Sequence, residues 1–541
     1  MFRPFLKHYV SRLTGMIRDD RGSMTIFAMF VFIIILMVGG MAVDIMRYET
    51  QRVKLQNTAD RAVLAAGSLR QPNDPKEVVR EYFRREGLEA NLVDVQVVEG
   101  LNFRTVNVQT SNVMPTMFMR LLGIPELNMT PVSASEERYS KVEVSLVLDL
   151  SNSMNAFNRI DNLRDASADF VDTLFENAEP DQVSLSIIPY TGQVNLGPVF
   201  SQYLNITPRL PQSQCVNFPN NAFTSTAVNR FTNLNGTGHF DPWPWLDAND
   251  NLIPQPQMFF CPTHPNGTGE VVVMSGNRNF LRTRVSNLIA DGNTSIDIGV
   301  KWAAALLDPA MRPVINDMIT DGHVSPDFQG RPLDYSDPDV LKVMVIMTDG
   351  ENWWEFRMRD EFKSGLSPVF RNNATGEFSI FHSSGGPNNN TRWWIPHEKK
   401  WADRPLNANT RITALNGSNF GPNTRLSWDE VWSIRSVRWV SSNWYPNDSS
   451  RGNRNAGQWV NYVIPQTAPD SKNTRLQQIC AAVRARDIPI FTVAFEAPDA
   501  GIAAMRTCAS SQSHFFDVAG TDIRGAFRAI AGTINRLRLT Q

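Results

Sequence analysis

The longest apolar run in the chain covers residues 24–43, MTIFAMFVFIIILMVGGMAV, and contains no charged residue. Its 20 residues, at about 1.5 Å each in a helix, match the thickness of a bilayer core and predict one membrane-spanning helix. Basic residues outnumber acidic ones in 1–23, so the positive-inside rule makes that segment a cytoplasmic tail. A cleaved signal peptide is the alternative, although such peptides usually have a shorter apolar region and a small-residue cleavage site.

Residues 44–140 predict a stalk and a small α+β domain. The stretch 44–69 lacks glycine and proline until Gly67 and is rich in helix formers, so the membrane helix is expected to continue into it. Beyond it the pattern predicts a helix at 75–87, alternating strands across 92–111, a short helix at 114–122 and a strand at 126–135.

From residue 141 onward, apolar strands alternate with amphipathic helices, which is typical of a parallel sheet. The predicted strands are 142–149, 182–190, 342–350, 488–495 and 514–518, and the predicted helices are 159–177, 295–307, 473–486 and 521–537. Residues 141–541 are therefore expected to form an α/β domain with a doubly wound, mostly parallel sheet.

Two long segments interrupt this alternation, at about 200–278 and 351–470. Structureless loops of that length are uncommon in compact domains, so both are expected to be ordered insertions. The second holds ten of the 13 tryptophans. These tryptophans either form the core of the insertion, which is the favoured interpretation, or are exposed in pairs that stack on sugars or anchor a partner.

The charge balance and the cysteines narrow the class of protein. With 52 basic and 54 acidic residues the formal net charge is −2, which argues against a nucleic-acid partner.

The four cysteines form an even set without a CxxC pattern, which favours disulfides in an oxidising compartment. We expect Cys215 to pair with Cys261 and Cys480 with Cys508, with free buried thiols as the alternative.

Oxygen-bearing side chains follow two of the predicted strands. In VSLVLDLSNSM the strand ends at Asp149, and Ser151 and Ser153 follow; in KVMVIMTDG the strand ends at Asp349. Thr294 precedes an Ala-rich helix and is a third candidate. The carboxyl edge of an open α/β sheet is where ligands bind, so these five oxygens are expected to meet there. A helix N-cap at 149–153 is the alternative.

These residues resemble the metal-ion-dependent adhesion site of the von Willebrand factor A domains, whose motif is Asp-x-Ser-x-Ser, then Thr, then Asp. The resemblance implies direct coordination by Ser151, Ser153 and Thr294, with Asp149 and Asp349 acting largely through water. Hard oxygen ligands select Mg²⁺, with Ca²⁺ or Mn²⁺ as alternatives. A metal held with little direct carboxylate charge is expected to bind an acidic side chain of a protein partner.

The anchor resembles a second family. Residues 21–69 are similar to the membrane-anchor region of TadE/TadG-like proteins of tight-adherence (Flp) pilus systems, and the segment from Ile479 to the end also looks TadG-like. The resemblance implies a single-pass protein of the bacterial inner membrane, with most of the chain periplasmic or extracytoplasmic. Its expected function is metal-dependent binding in pilus assembly or adhesion, with a pilus or envelope component as partner. Prepilin-like processing after Gly22 would require Glu at position 27, which is Phe27 here, so an intact anchor is expected.

The sequence also bears on two other functions, polysaccharide binding and catalysis. A polysaccharide-binding module that uses the Trp-rich insertion is the alternative. An enzyme is not expected, because the chain contains no GxxxxGK[ST] or GxSxG motif and no second histidine of a zincin helix.

Overall fold

The computed structural model describes residues 23–68, 71–99, 103–138, 141–176, 178, 181–264, 267–383, 385–386, 390–415, 417, 419–445, 447–448 and 454–535. The predicted cytoplasmic tail lies, apart from Ser23, outside the described residues. The chain divides into two compact units, Met1–Arg138 and Tyr139–Gln541.

Unit 1 is organised around the 45-residue helix α1, Ser23–Gly67. In the part of the chain that the structure describes, α1 is the one helix long and apolar enough to cross a membrane. Its first half exposes apolar side chains, whereas its second half buries one face. The buried apolar residues of that face recur at helical spacing: Leu55, Ala59, Ala62, Val63 and Ala66.

A small α+β layer packs on this second half. It consists of α2 (Pro75–Arg85) and an antiparallel sheet in the order β1-β2-β5, with β1 at Leu92–Glu99, β2 at Phe103–Thr110 and β5 at Val132–Arg138. A separate antiparallel hairpin pairs β3 (Asn112–Pro115) with β4 (Glu126–Met129).

Two sequence predictions in this unit were wrong. The segment predicted as a helix at 114–122 contains the end of β3 and a 3₁₀ turn at Met119–Leu122, because tertiary hydrogen bonds to Asp44 fix its backbone. The segment predicted as one strand at 126–135 is divided between β4 and β5, and Pro131 between them has no amide to donate to a ladder.

Unit 2 contains a six-stranded sheet in the order β11-β7-β6-β12-β23-β24. These strands are β6 (Lys141–Asp149), β7 (Val183–Tyr190), β11 (Val272–Ser275), β12 (Val340–Thr348), β23 (Ile490–Phe495) and β24 (Phe515–Val518). All neighbours are parallel except the edge strand β11, which is antiparallel to β7. Counted along the chain, the order is 3-2-1-4-5-6, so the connections reverse direction between β6 and β12.

The helices around this sheet pack against one another in two groups. One group comprises α3 (Arg159–Leu174), α5 (Arg278–Ser286) and α13 (Asp522–Asn535), and the other α6 (Ile296–Leu307), α11 (Pro469–Arg484) and α12 (Asp499–Cys508). Helix α6 contacts β6, β7 and β12, and is followed by α7 (Arg312–Thr320). Each strand and helix predicted between 141 and 541 is present, whereas β11, α5, α7, α12 and the elements within the two inserted segments were not predicted.

The two inserted segments are ordered. The first contains α4 (Gly197–Ser201) and a small sheet of β8 (Ile206–Thr207), β9 (Val216–Asn217) and β10 (Leu234–Gly236). Strand β11 falls inside the predicted range 200–278 but belongs to the main sheet.

The second inserted segment has its own antiparallel sheet, in the order β17-β16-β15-β14-β19-β18. The strands of this sheet are β14 (Leu366–Asn372), β15 (Phe378–Phe381), β16 (Trp393–Ile395), β17 (Lys400–Ala402), β18 (Asn419–Phe420) and β19 (Asn423–Ser427). Two further pairs are β13 (Glu355–Phe356) with β22 (Gln466–Thr467), and β20 (Asn447–Asp448) with β21 (Arg454–Asn455). The helices of this segment are α8 (Trp428–Ile434), α9 (Val437–Trp444) and α10 (Ala456–Val463).

Part of the first inserted segment packs into a hydrophobic core of the second. Phe240 and Phe260 of the first pack in the same cluster as the aromatic residues of the second. Five tryptophans of the second segment are buried: Trp393, Trp428, Trp432, Trp444 and Trp459. These are half of the segment's ten tryptophans, and Trp394 and Trp439 pack partly buried against the core, in agreement with the favoured interpretation.

Both predicted disulfides are confirmed. Cys215 bonds to Cys261 within the first inserted segment, with Cα atoms 5.7 Å apart. Cys480 on α11 bonds to Cys508 at the end of α12, with Cα atoms 5.3 Å apart. These two bonds account for all four cysteines.

Candidate metal centre

The predicted site lies where the two central strands of the main sheet end. Strands β6 and β12 are parallel neighbours with Leu148 opposite Met347, so Asp149 and Asp349 emerge side by side at the carboxyl edge. In sheets with this strand order the ligand crevice opens where the connections reverse direction, which is between these two strands.

Asp149 is completely buried and accepts three hydrogen bonds. One carboxylate oxygen accepts the backbone amide of Ser151 at 2.8 Å. The other accepts the hydroxyls of Thr348 at 2.6 Å and Tyr190 at 3.2 Å. Asp149 therefore fixes the first turn of the loop that carries the serines.

The two serine hydroxyls converge on Asp349. Ser151 Oγ and Ser153 Oγ are 3.0 Å apart. Ser153 donates to Asp349 Oδ1 at 2.7 Å, and Ser151 Oγ lies 3.4 Å from the same oxygen. The four-residue 3₁₀ turn that follows Ser151, Asn152–Asn155, makes this possible, because it turns the chain back toward β12. Residues almost 200 positions apart thus share one oxygen cluster.

Thr294 joins the cluster from a third loop. Two backbone hydrogen bonds tie that loop to the serine loop: Asn152 N donates to Gly292 O at 3.0 Å, and Asp291 N donates to Leu150 O at 2.7 Å. A Cβ placed on Gly350 would lie 3.3 Å from Thr294 Oγ1 and 3.9 Å from Ser153 Oγ, so both hydroxyls flank the same small space. All five predicted residues are brought together.

The electrostatics of this cluster suit a cation. Burial, followed by repulsion from Asp349, raises the pKa of Asp149 to about 7. Burial also raises the pKa of Asp349, which Ser153 and Arg159 only partly offset. Two buried carboxylates beside three hydroxyls form a hard-oxygen donor set with excess negative charge, which fits Mg²⁺ or a similar ion. Among the residues that the structure describes, no group of three or more His, Cys, Asp or Glu forms a more conventional metal site.

An arginine beside the cluster was missed by the sequence analysis. Arg159, at the start of α3, donates to Asp349 Oδ2 at 3.0 Å and to Glu496 Oε2 at 2.8 Å. Glu496 directly follows β23, has φ of 51°, and accepts the amide of Gly520. Arg159 thus holds the far oxygen of Asp349 and leaves Oδ1 facing the serines. The position of Arg159 just after the serine loop was a usable signal, whereas nothing local marks Glu496.

A buried charged network under Thr294 was also missed. Lys472 Nζ donates to the backbone oxygens of Thr294 and Trp353, at 2.8 and 2.7 Å, and to Ser295 Oγ at 2.6 Å. Its charge faces Asp297 at 3.9 Å. Lys472 therefore positions the threonine loop and the start of the second inserted segment together.

Three exposed aromatic side chains lie in the loops that carry the cluster. Phe157 is 80% exposed in the loop after Ser153. Trp353 and Trp354 follow Asp349 closely and are 49% and 39% exposed. The amide of Trp353 donates to Thr294 O at 3.0 Å, which fixes this segment beside the site. Exposed aromatic side chains are enriched in protein interfaces, so these three residues are candidates for contact with a partner.

The anchor region matches a family model. Residues 22–69 match the family model described as putative Flp pilus-assembly TadE/G-like. The resemblance of residues 21–69 to TadE/TadG-like anchors is thereby confirmed. No curated protein matches the sequence.

Several solved structures with weak similarity are pilus proteins. The von Willebrand factor domain of the type V pili tip protein Mfa5 from Porphyromonas gingivalis is 12% identical, with a TM-score of 0.31, and the match covers 74% of this chain and 98% of that one. The adhesive tip pilin GBS104 from Group B Streptococcus agalactiae is 12% identical, with a TM-score of 0.30 and coverage of 73% and 100%. The pilus adhesin SpaC from Lactobacillus rhamnosus GG is 11% identical, with a TM-score of 0.30 and coverage of 81% and 34%. TM-scores this low do not establish a common fold.

Proposed function

We propose that this chain is a membrane-anchored component of a tight-adherence pilus system that binds a protein partner through a divalent metal ion. Unit 2 would be a doubly wound von Willebrand factor A-like domain with two insertions. The observation that carries the proposal is the convergence of Ser151, Ser153 and Asp349 at the point where the strand order reverses.

The residues of the cluster have separate roles in this proposal. Ser151, Ser153 and Thr294 would provide neutral oxygen ligands, and the carboxylates of Asp149 and Asp349 would hold those ligands and balance the charge. A bound Mg²⁺ would supply an open coordination position for a carboxylate of the partner. Because the chain contributes little direct negative charge to the metal, an acidic partner side chain is the favoured ligand.

The anchor supports the cellular setting. Helix α1 is long and apolar enough to span a bilayer, and residues 22–69 are similar to a pilus-assembly family. We propose a single pass through the bacterial inner membrane, with the N-terminus cytoplasmic and the chain after residue 43 extracytoplasmic. The two disulfides agree with that compartment. The partner would be a pilus or envelope component.

The polysaccharide-binding alternative has less support. Sugar stacking needs exposed aromatic rings, and five tryptophans of the second inserted segment are buried in its core. The exposed pair Trp353 and Trp354 lies beside the candidate metal centre, where it would contact the protein partner proposed here.

Calorimetric titration of the full-length protein in detergent with Mg²⁺, Mn²⁺ and Ca²⁺ tests the proposal. We expect binding by the wild type and none by the double variant Ser151→Ala, Ser153→Ala. The control is Ser511→Ala, Ser513→Ala, which removes another pair of neighbouring hydroxyls, 2.8 Å apart, before β24 at the opposite edge of the sheet. No binding by folded wild type, or binding that survives in the first double variant, would reject the metal mechanism.

A further inference from the structure

Unit 1 carries an apolar loop for which the proposed function has no role. The loop joins β3 to β4 and covers residues 116–125, TMFMRLLGIP. Its large exposed apolar side chains are Met117, Phe118, Leu121, Leu122 and Ile124. Contiguous exposed apolar surface of this kind marks an interaction site in a soluble protein or a membrane contact.

The loop is fixed against α1 beside the end of the apolar run. A Cβ on Gly40 would overlap the ring of Phe118, so the ring packs directly on the bare helix backbone. One turn later, the buried carboxylate of Asp44 accepts the amides of Met117, Phe118 and Met119 at 2.9, 2.7 and 2.8 Å. These contacts tie the loop to one level of the helix.

That level is the edge of the bilayer. Gly40 precedes the end of the apolar run at Val43 by three residues, which is about 5 Å along a helix. If residues 24–43 cross the membrane, Phe118 lies at the boundary between hydrocarbon and headgroups. This placement rests on the membrane anchoring proposed above.

The backbone of the loop is prepared for a water-poor environment. An amide that enters lipid must already have an acceptor, because none is available there. Besides the three amides held by Asp44, the following donors have acceptors within the loop or at its ends: Thr116 N to Pro125 O, Leu121 N to Phe118 O, Gly123 N to Arg120 O, Ile124 N to Met119 O, and Thr116 Oγ1 to Ile124 O.

The charge of the loop fits a lipid surface. Arg120 is exposed and is the one charged residue of the sequence 116–125. An apolar segment with a basic side chain and no acidic one is typical of contacts with anionic headgroups. A water-soluble protein partner would not require the contact to lie at the level of Gly40.

We propose that loop 116–125 inserts into the leaflet from which α1 emerges, with its apolar side chains among the acyl chains and Arg120 among the phosphates. The loop gives unit 1 a second attachment beside the helix. It thereby fixes the height of the small α+β layer above the membrane, which a single helix would leave free to vary.

Nitroxide quenching in vesicles of phosphatidylethanolamine and phosphatidylglycerol tests this proposal. Single cysteines for an NBD label replace three exposed leucines of the full-length chain: Leu121 in the loop, Leu36 in the apolar run and Leu64 on the distal half of α1. All four native cysteines are in disulfides and do not react with the label. Lipids with a nitroxide on the acyl chain provide the quencher, and Met117→Cys repeats the measurement at a second loop position.

The proposal predicts strong quenching at positions 36, 117 and 121 and none at 64. Quenching at 36 with the loop positions unquenched, as at 64, would overturn the insertion and leave the anchor intact. No quenching at 36 would overturn the anchor, and the loop insertion with it.

Discussion

Glu355 and Arg475 form a buried ion pair that joins the second inserted segment to helix α11 beside the main sheet. The distance between Glu355 Oε2 and Arg475 Nη1 is 2.7 Å. Both side chains are almost inaccessible to solvent. Burial alone would raise the pKa of Glu355, but Arg357, Arg475 and Lys472 outweigh it and hold that pKa below its ordinary value. The ion pair fixes the chain only six residues after Asp349, at the edge of the candidate metal centre.

Removing this carboxylate should destabilise unit 2. Glu355→Gln removes the nearer carboxylate from buried Arg475, which keeps the carboxylate of Asp297 at 3.4 Å, and the carboxylate partner from partly exposed Arg357. We therefore expect the free energy of unfolding to fall by about 3 kcal/mol. Urea unfolding followed by tryptophan fluorescence measures this, because ten tryptophans lie in 351–470. The control is Asp161→Asn, whose ion pair with Arg164 is exposed and should leave the midpoint unchanged. Equal midpoints for both variants would contradict a structural role for the buried pair.

The threonine hydroxyl of the site can be tested without changing its backbone. Thr294→Ser keeps the oxygen and Thr294→Ala removes it, while the backbone oxygen that Lys472 binds is present in both. At Mg²⁺ a hundredfold above its dissociation constant, a bound ion stabilises a protein by about 2.7 kcal/mol. We expect thermal stabilisation by Mg²⁺ in wild type and Thr294→Ser, and little in Thr294→Ala. Full stabilisation of Thr294→Ala would remove Thr294 from the ligand set.

A buried histidine should make stability depend on pH. Burial lowers the pKa of His239 from 6.5 to about 4, and Asp429 only partly opposes this. Between those values the unfolded chain binds a proton that the folded chain does not, so stability is fully present above pH 6.5 and declines toward pH 4. The expected loss is at most about 3 kcal/mol.

The variant His239→Gln isolates this contribution. It cannot titrate, so its free energy of unfolding should change less than that of the wild type between about pH 6.5 and pH 5. Urea titrations at several pH values, analysed as the difference between the two proteins, provide the measurement. Parallel curves would mean that His239 does not titrate differently in the folded and unfolded states.

The contact between Gly40 and Phe118 can be tested with a neighbouring glycine as control. A Cβ at Gly40 would overlap the Phe118 ring, whereas a Cβ at Gly39 would meet nothing within 4 Å. We expect Gly40→Ala to displace the loop and to make trypsin cleavage after Arg120 in detergent roughly tenfold faster. Gly39→Ala should be cleaved at the wild-type rate. Similar rates for all three proteins would show that the loop does not depend on this contact.

The main sheet and the oxygen cluster were accessible from sequence because their signals are local. Strands β6 and β12 are short, mostly apolar runs; β6 ends at Asp149, and Asp349 directly follows β12. Parallel strands place their carboxyl ends at one edge, so the sequence pattern was sufficient to predict that Asp149 and Asp349 lie close together. The loop at 114–122 was predicted incorrectly because its backbone is fixed by Asp44, which is more than 70 residues away.

The amino-acid sequence by itself determined the apolar helix, the alternation of strands and helices, the cysteine pairs and the spacing of Asp149, Ser151 and Ser153. Each of these depends on periodicity or composition within a short window. Only the tertiary structure decided that Arg159 bridges Asp349 and Glu496, and that Lys472 holds the Thr294 loop. Such contacts join residues far apart in the chain, and their energy depends on burial and on the directions of individual side chains, neither of which leaves a periodic signal in the sequence.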